Sequence, residues 1–291
     1  MRNLHACFAL WLLVGGAFAE MCTSLPNEAV PARKLIVIAG QSNAVGLASV
    51  NDTGRSLAGS YGRRFAVYPN VRIYGVFGAP MGIALDDPVQ SRLVEWSRYA
   101  KWHQAQPGFG YKNPRAGESS VQAMFGPELY LAHALNSRPP FDHYILKLAV
   151  AGASLSLRAG QDDWSPDGRL YQQLIKMVVQ AHQAARPRAR LSVDALVFLQ
   201  GGSDAQSFVE AQRYESNLRY LIKSFRSDMV SRGCATDPNF PVVISQVQDN
   251  IQWKYRHIVR RAQRRVAENG SNVRLINTDD LASELVDEGY S

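Results

Sequence analysis

The stretch LIVIAGQSNAVG, residues 35–46, decides how the fold is read, because an apolar run leads directly into a polar turn. The run over residues 35–38 is typical of a strand, and the turn GQSN follows it at residues 40–43. Open parallel sheets bind ligands beyond the carboxyl ends of their strands. Ser42 lies just past the end of this first predicted strand, so its position favours a chemical role.

The spacing of the glycines around Ser42 excludes several known loops. Gly40 and Gly46 do not form a phosphate loop, because no Lys-Ser or Lys-Thr pair follows them, and no G-x-G-x-x-G occurs. Ala44 stands where a G-x-S-x-G nucleophile elbow has its second glycine. On this segment alone, a reactive Ser42 and a Ser42 that merely caps the next helix fit the pattern equally well.

Short β-branched runs alternate with helix-period segments along the chain. This alternation predicts an α/β fold, a three-layer sandwich in which helices cover both faces of a mostly parallel sheet. The predicted strands are residues 34–39, 71–76, 144–149, 194–199, 242–246 and 273–277, and the predicted helices are residues 126–135, 170–185, 207–229 and 253–268. Residues 51–118 are expected to form long loops around one strand, a usual place for substrate contacts.

The N-terminus has the composition of a secretory signal peptide. Arg2 precedes an apolar run over residues 6–14, and Ala17 and Ala19 form a small-x-small triplet. Two glycines and Glu20 interrupt the apolar character before about 20 residues, the length that a membrane-spanning helix needs. We expect a signal peptide over residues 1–19, an extension over 20–33 and one domain over 34–291. The protein would be secreted or periplasmic, with no membrane association after cleavage.

The cysteines and the charge give weaker indications. Cys7 would leave with the signal peptide, so Cys22 and Cys234 remain, and a disulfide and two free thiols are equally compatible with the sequence. The net charge of +7 becomes +6 without Arg2. A positive balance of this size concerns solubility and non-specific attraction of anions, not the fold.

Six lysines and arginines crowd the predicted helix 253–268. Its apolar stripe has helical spacing, so a solvated outer face is favoured over a nucleic-acid site, and no nucleic-acid partner is expected. The chain has no His/Cys cluster with metal-ligand spacing, and we expect no metal.

Two further predicted strands end in small or amide-bearing residues. Residues 194–199 run into Gln200, Gly201, Gly202, Ser203 and Asp204, and residues 144–149 lead to Gly152. Because parallel strands present their carboxyl ends at one edge, three loops are expected to meet near Ser42.

Several ordered segments are shared with a known family. They are GQSN at 40–43, FGPEL at 125–129, a loose K-x-A-x-G-G-T/S-x-L phrase at 147–155, Trp164, Pro166 and Tyr171 of a W-x-P…Y phrase, and QGGSD at 200–204. Over residues 34–285 the chain resembles the sialate O-acetylesterase-like domain, of the carbohydrate esterase family 6 type, in the SGNH hydrolase superfamily. The resemblance implies an SGNH or flavodoxin-like fold and hydrolysis of O-acetyl esters on sialic acid or a polysaccharide, without a cofactor.

The resemblance also implies roles for individual residues. Ser42 would be the nucleophile, and the N–H groups of Ser42 and Gly152 with the side-chain amide of Gln200 would form the oxyanion hole. Gln41 and Asn43 would hold the loop around Ser42. The motifs add Glu128 and Asp204 to the oxyanion and substrate-binding residues.

The sequence departs from the family pattern at three places, of which Ala153, at the second glycine of the G-G-T phrase, is the least serious. Gly202 stands where the family has glutamate. The family also has a D-x-x-H segment after the last strand, whereas here Asp287, the candidate triad aspartate, is followed by Tyr290 at the histidine position. The histidine is therefore unassigned, and His103 in the loops is the first one to consider. A carbohydrate-binding relative without catalysis and an incomplete gene product are the alternatives.

Overall fold

A computed structural model describes residues 21–22, 30–46, 48–49, 67–77, 94–110, 124–156 and 162–279. Within these ranges the strands are β1 (Ala32–Gly40), β2 (Ala48–Ser49), β3 (Tyr68–Gly75), β4 (Lys101–Ala105), β5 (Met124–Phe125), β6 (His143–Ala149), β7 (Arg190–Leu199), β8 (Val242–Ser245) and β9 (Val273–Ile276). The six predicted strands all form, with ends that differ by a few residues.

One sheet contains seven of these strands, in the order β4-β3-β6-β1-β7-β8-β9. Its neighbours pair in parallel except for β4, which is antiparallel to β3. The sequence prediction missed β4, because KWHQA has no apolar run and becomes a strand only by pairing with the edge of β3. The strands β2 and β5 form a separate antiparallel pair.

The helices are α1 (Ser42–Val45), α2 (Trp96–Tyr99), α3 (Pro127–Asn136), α4 (Arg169–Ala185), α5 (Phe208–Ser231) and α6 (Arg256–Asn269), with a 3₁₀ turn at Asp204–Gln206. The last helix begins three residues later than the sequence predicts. Among the described helices, none has the length and apolar character that a membrane span requires.

Side chains alternate between two apolar cores along the central strand. Leu35, Val37 and Ala39 of β1 belong to a core that includes residues of α4, α5 and α6. Ile38 belongs to a second core, which includes Leu129 of α3. Because successive side chains of a strand point to opposite faces, helices cover both faces of the sheet. The three-layer α/β prediction is confirmed.

A disulfide joins Cys22, before the first strand, to Cys234, after α5. The backbone N–H of Cys22 also donates to the carbonyl of Arg232. Both cysteines are buried, and His182 of α4 lies beside them. The N-terminal extension is therefore attached to the domain at a point far from it in sequence.

Replacing both cysteines by serine should lower the free energy of unfolding by about 2–4 kcal/mol, because the disulfide constrains the unfolded chain. The sequence separation of 212 residues makes this constraint large. Urea unfolding without reductant measures the loss. Reductant should lower the midpoint of the unaltered protein but leave that of the double variant unchanged; a midpoint insensitive to reductant in both would contradict the prediction.

Candidate active site

The turn before Ser42 is fixed by close contact between three strand ends. Gly40 has φ +146°, and a Cβ there would lie 2.1 Å from the carbonyl oxygen of Leu199, so only glycine fits. The N–H of Gln41 donates to that same oxygen at 2.9 Å, and the N–H of Val150 donates to the Gly40 carbonyl at 3.1 Å. The ends of β1, β6 and β7 are thereby tied together at the edge where Ser42 begins α1.

Ser42 is partly exposed and lines a cavity at this edge. The N–H groups of Ala44 and Val45 donate to the Gln41 carbonyl, and that of Gly46 donates to the Ser42 carbonyl. Within the described part of the chain, the Ser42 N–H has no such acceptor, as is normal for the first turn of a helix. The cavity walls include Asn43, Gln200, Gly202, Gln246 and Trp253. Ser42 therefore lines the cavity and has a backbone N–H that no described carbonyl accepts from.

The two amides that flank Ser42 in the motif have different surroundings. Gln41 is buried, and its Oε1 accepts from the backbone N–H of Ser203 at 3.2 Å and of Gly201 at 3.4 Å. Asn43 is exposed at the cavity. Gln41 thus holds the loop after β7 against the loop after β1, the positioning role that the sequence assigned to both amides.

Asp204 joins the loop after β7 to the loop after β6. Its side chain is fully buried, and its Oδ2 accepts from the N–H of Leu155 at 2.9 Å and from Nε2 of Gln200 at 2.5 Å. Its Oδ1 accepts from the N–H and hydroxyl of Ser156, both at 3.3 Å. Both carboxylate oxygens of Asp204 are thus engaged in hydrogen bonds that join the two loops, and its expected part in substrate binding stays a prediction.

The side-chain nitrogen of Gln200 is directed into this network. Besides Asp204, it has the carbonyl of Ala153 at 3.2 Å and Oε1 of Gln41 at 3.4 Å as acceptors. Both hydrogens of an amide nitrogen can be used by such a set. This arrangement differs from the one expected of an oxyanion donor, which must keep a hydrogen for the substrate.

Gly152 lies in the turn that follows β6 and is exposed. Its φ of +74° is accessible to glycine at no cost, and a Cβ there would meet nothing within 4 Å. The turn begins at Val150, whose N–H reaches Gly40. The structure therefore brings the Gly152 loop to the same sheet edge as Ser42.

Glu128 forms a buried ion pair with Lys147. The ammonium of Lys147 donates to Glu128 Oε2 at 2.5 Å and to the carbonyls of Val45 and Phe109, each at 2.8 Å. Glu128 Oε1 accepts from the N–H of Gly126 at 2.8 Å. Burial lowers the pKa of Lys147, and the Glu128 carboxylate opposes that shift. Glu128 has no exposed surface and holds Lys147 in place, and its expected part in substrate binding stays a prediction.

His103 lies on β4 among aromatic rings. It stacks on Phe77 with ring centroids 5.0 Å apart and contacts Phe109 edge-on at 5.7 Å. Burial, with a smaller contribution from Lys101, lowers the pKa of His103. It is not among the described residues that line the Ser42 cavity.

The other described histidines are His133, packed on Tyr68; His143, at the start of β6; His182, beside the disulfide; and His257, exposed on α6. None of the described residues lining the Ser42 cavity is histidine, aspartate or glutamate. Asp287 lies outside the described residues.

The chain after β9 returns to the same edge. The Thr278 hydroxyl donates to the carbonyl of Gln246 at 3.0 Å, and Arg260 makes a two-point contact with Asp279 at 2.7 and 2.6 Å. Hydrogen bonding to Arg260 holds the pKa of Asp279 below its usual value. Arg260 of the basic helix thus has an intramolecular partner.

Sequence reasoning missed Gln246 and Trp253 as cavity residues. Residue 246 was included in a predicted strand and residue 253 in a predicted helix, whereas both lie in the connection between β8 and α6. The rule that located Ser42, that residues after a parallel strand face the ligand edge, applies to Gln246 as well.

A family model shows the family of this chain, and two solved structures show its fold. The sequence model of a family described as "Carbohydrate esterase, sialic acid-specific acetylesterase" matches residues 32–287. A protein from Arabidopsis thaliana has a similar structure, with 18% identity, coverage of 85% of this chain and 86% of that one, and a TM-score of 0.57. The structure of NanS has 16% identity, coverage of 85% and 78%, and a TM-score of 0.57. At these identities the likeness shows the fold alone. A search of curated proteins finds no match.

Replacing Lys147 by methionine should lower the free energy of unfolding by about 3–5 kcal/mol, because it leaves the Glu128 carboxylate buried without a partner. The double variant Lys147→Met, Glu128→Leu should lose less unfolding free energy than the single variant, because it leaves no buried charge. Urea unfolding measures both.

The control is Lys34→Ala, which removes the lysine of an exposed pair with Asp194 and should cost at most about 1 kcal/mol. Equal losses of unfolding free energy in the two lysine variants would show that the buried pair stabilises the protein no more than the exposed pair does.

Proposed function

The chain belongs to the carbohydrate esterase family described as sialic acid-specific acetylesterases, and we propose that it hydrolyses O-acetyl esters of carbohydrates with Ser42 as the nucleophile. One observation carries the proposal: Ser42 is partly exposed in a cavity at the carboxyl edge of the sheet, on a turn that Gly40 and Gln41 hold in place. Ligand sites of open parallel sheets lie at this edge.

In the proposed reaction, the Ser42 oxygen attacks the acetyl carbonyl carbon and forms a tetrahedral intermediate. The bond between this carbon and the sugar oxygen then breaks, and the sugar leaves with the proton that Ser42 gave up. Water hydrolyses the acetyl-serine and releases acetate. Negative charge develops on the carbonyl oxygen both when the acetyl-serine forms and when water hydrolyses it, so preorganised donors lower the barrier of each step. The free N–H of Ser42 and the exposed Gly152 loop support these two groups as donors.

Gln200 has a different part in this proposal. Its amide nitrogen is bound to Asp204 and Ala153, so it supports the loops that carry the donors. Asp204 and Gln41 act in the same way, through buried hydrogen bonds that join the three loops. All three residues are positioning residues, and a substitution at any of them would act through the placement of Ser42 and Gly152.

A serine hydroxyl needs a neighbouring base at neutral pH. The described part of the cavity wall contains no imidazole or carboxylate. Asp287 lies eight residues beyond Asp279, which Arg260 holds near Gln246 at the same edge. The roles of Asp287 as triad aspartate and of a histidine base stay predictions.

The proposal includes export from the cytoplasm. The N-terminal 19 residues have signal-peptide character, and the Cys22–Cys234 disulfide is of the kind that persists in oxidising compartments. An exported esterase would meet acetylated sugars of glycans or polysaccharides outside the cell.

The test is acetate release from 9-O-acetyl-N-acetylneuraminic acid and from 4-nitrophenyl acetate. Ser42→Ala should lower kcat/KM by about a thousandfold or more, because removal of a nucleophile leaves only residual catalysis. Ser216→Ala, an exposed serine on α5, is the matched control and should retain full activity.

Two outcomes would overturn the proposal. Equal rates for Ser42→Ala and the unaltered protein would exclude Ser42 as nucleophile. Binding of the acetylated sugar without turnover by the unaltered protein would favour a carbohydrate-binding protein instead.

A further inference from the structure

The segment between β8 and α6 forms one wall of the Ser42 cavity. Trp253 lies in this wall with a partly exposed side chain. Its N–H donates to the carbonyl of Asn250 at 3.0 Å, its own carbonyl accepts from Arg256 at 3.0 Å, and the N–H of Tyr255 donates to Ala205 at 2.8 Å. The indole is therefore carried by a hydrogen-bonded turn joined to the loop after β7.

The indole lies against Gly202, the position where the family has glutamate. A Cβ at residue 202 would lie 3.2 and 3.3 Å from two carbons of the Trp253 ring and 2.8 Å from Nε2 of Gln41. A glutamate side chain would thus meet both groups. In this chain the indole contributes an aromatic surface to the cavity that Ser42 lines.

Gln246 adds a polar group to the same wall. Its backbone N–H donates to Ile276 at 2.9 Å, and its carbonyl accepts from Thr278. The residue is 5% exposed, and the buried Nε2 has no hydrogen-bond partner within the described chain. A buried donor without an acceptor costs free energy, so a ligand that supplies an acceptor would bind favourably beside it. A ligand oxygen in the cavity would be such an acceptor.

Gln200 offers the complementary group. Its Nε2 is bound to Asp204, but its Oε1 is buried and has no partner among the described residues. The cavity wall thus combines an unpaired amide donor at Gln246, an unpaired carbonyl acceptor at Gln200 and an aromatic ring at Trp253. Hydroxyl groups of a sugar both donate and accept hydrogen bonds, so this set suits a carbohydrate better than a simple alkyl ester.

We infer that Trp253 and Gln246 form a subsite that binds the pyranose ring of the acetylated carbohydrate next to Ser42. The inference rests on the proposed function. The C–H groups of a pyranose face carry partial positive charge, and the face of an indole is negative, so the two surfaces attract. The Gln246 amide donates to a sugar oxygen and fixes the ring's orientation. Trp253 and Gln246 are therefore specificity-determining residues.

The experiment compares Trp253→Ala, Trp253→Phe and Gln246→Leu on 9-O-acetyl-N-acetylneuraminic acid and 4-nitrophenyl acetate. Trp253→Ala should raise KM for the sugar ester about three- to tenfold, with a smaller change in kcat and a smaller effect on the aryl ester. Trp253→Phe should recover most of the loss, because it keeps an aromatic face. Gln246→Leu should likewise raise KM for the sugar ester more than KM for the aryl ester.

The matched control is Ile251→Ala in the same segment. Ile251 is 85% exposed and is absent from the described cavity wall, so the kinetic constants should not change. Urea unfolding of each variant separates a folding defect from a binding defect. Equal losses on the two esters, or no loss on either, would overturn the subsite.

Binding without turnover distinguishes this inference from the proposed function. N-acetylneuraminic acid should quench the tryptophan fluorescence of Ser42→Ala saturably, and the double variant Ser42→Ala, Trp253→Phe should lose that signal. If neither the unaltered protein nor any variant hydrolyses an ester but the Trp253-dependent quench is observed, the subsite is supported and the hydrolytic proposal fails. If Ser42-dependent hydrolysis is found but sugar binding is indifferent to Trp253, the subsite fails alone.

Discussion

The buried ion pair between Lys147 and Glu128 is the constraint on which the Ser42 edge of the sheet depends. Moving two charges out of water is unfavourable unless each is paired and its hydrogen bonds are satisfied. Here the ammonium has three acceptors, and two of them are the backbone carbonyls of Val45 and Phe109. Because Val45 ends α1, the pair determines where the short helix that begins at Ser42 can lie. A change that disturbs this pair therefore acts on the position of Ser42 without touching the cavity.

A second network holds Ser42 from the other side. Gln41 accepts hydrogen bonds from the loop after β7, and Asp204 accepts them from the loop after β6 and from Gln200. Each of these side chains is buried, so the network works at low dielectric, where hydrogen bonds are strong and unpaired groups are costly. Ser42 thus lies between two supports. The Lys147–Glu128 ion pair contacts the end of α1, and the hydrogen bonds of Gln41 and Asp204 hold the neighbouring loops.

The sequence predicted the parts of this site that depend on local pattern. Apolar runs located the strands, and the rule for parallel sheets located Ser42 at the correct edge. The partners of the Glu128 and Asp204 carboxylates could not be predicted, because a sequence motif does not show what its carboxylate binds in the folded chain. Those partners are 19 residues away at Lys147 and 49 residues away at Leu155. Burial and pairing at such separations are properties of the tertiary structure.

The position of Trp253 beside Gly202 bears on the proposed reaction, because Gly202 lies next to the Gln41 amide of this network. The indole lies against Gly202, and a Cβ at residue 202 would also lie 2.8 Å from Nε2 of Gln41, so the ring and this network lie on either side of one glycine. Electrostatic stabilisation of a developing oxyanion is stronger where water is excluded. A carboxylate at residue 202 would bring negative charge towards the oxyanion, whereas an indole brings none. In the proposed reaction, glycine at residue 202 therefore favours an oxyanion site that relies on backbone donors.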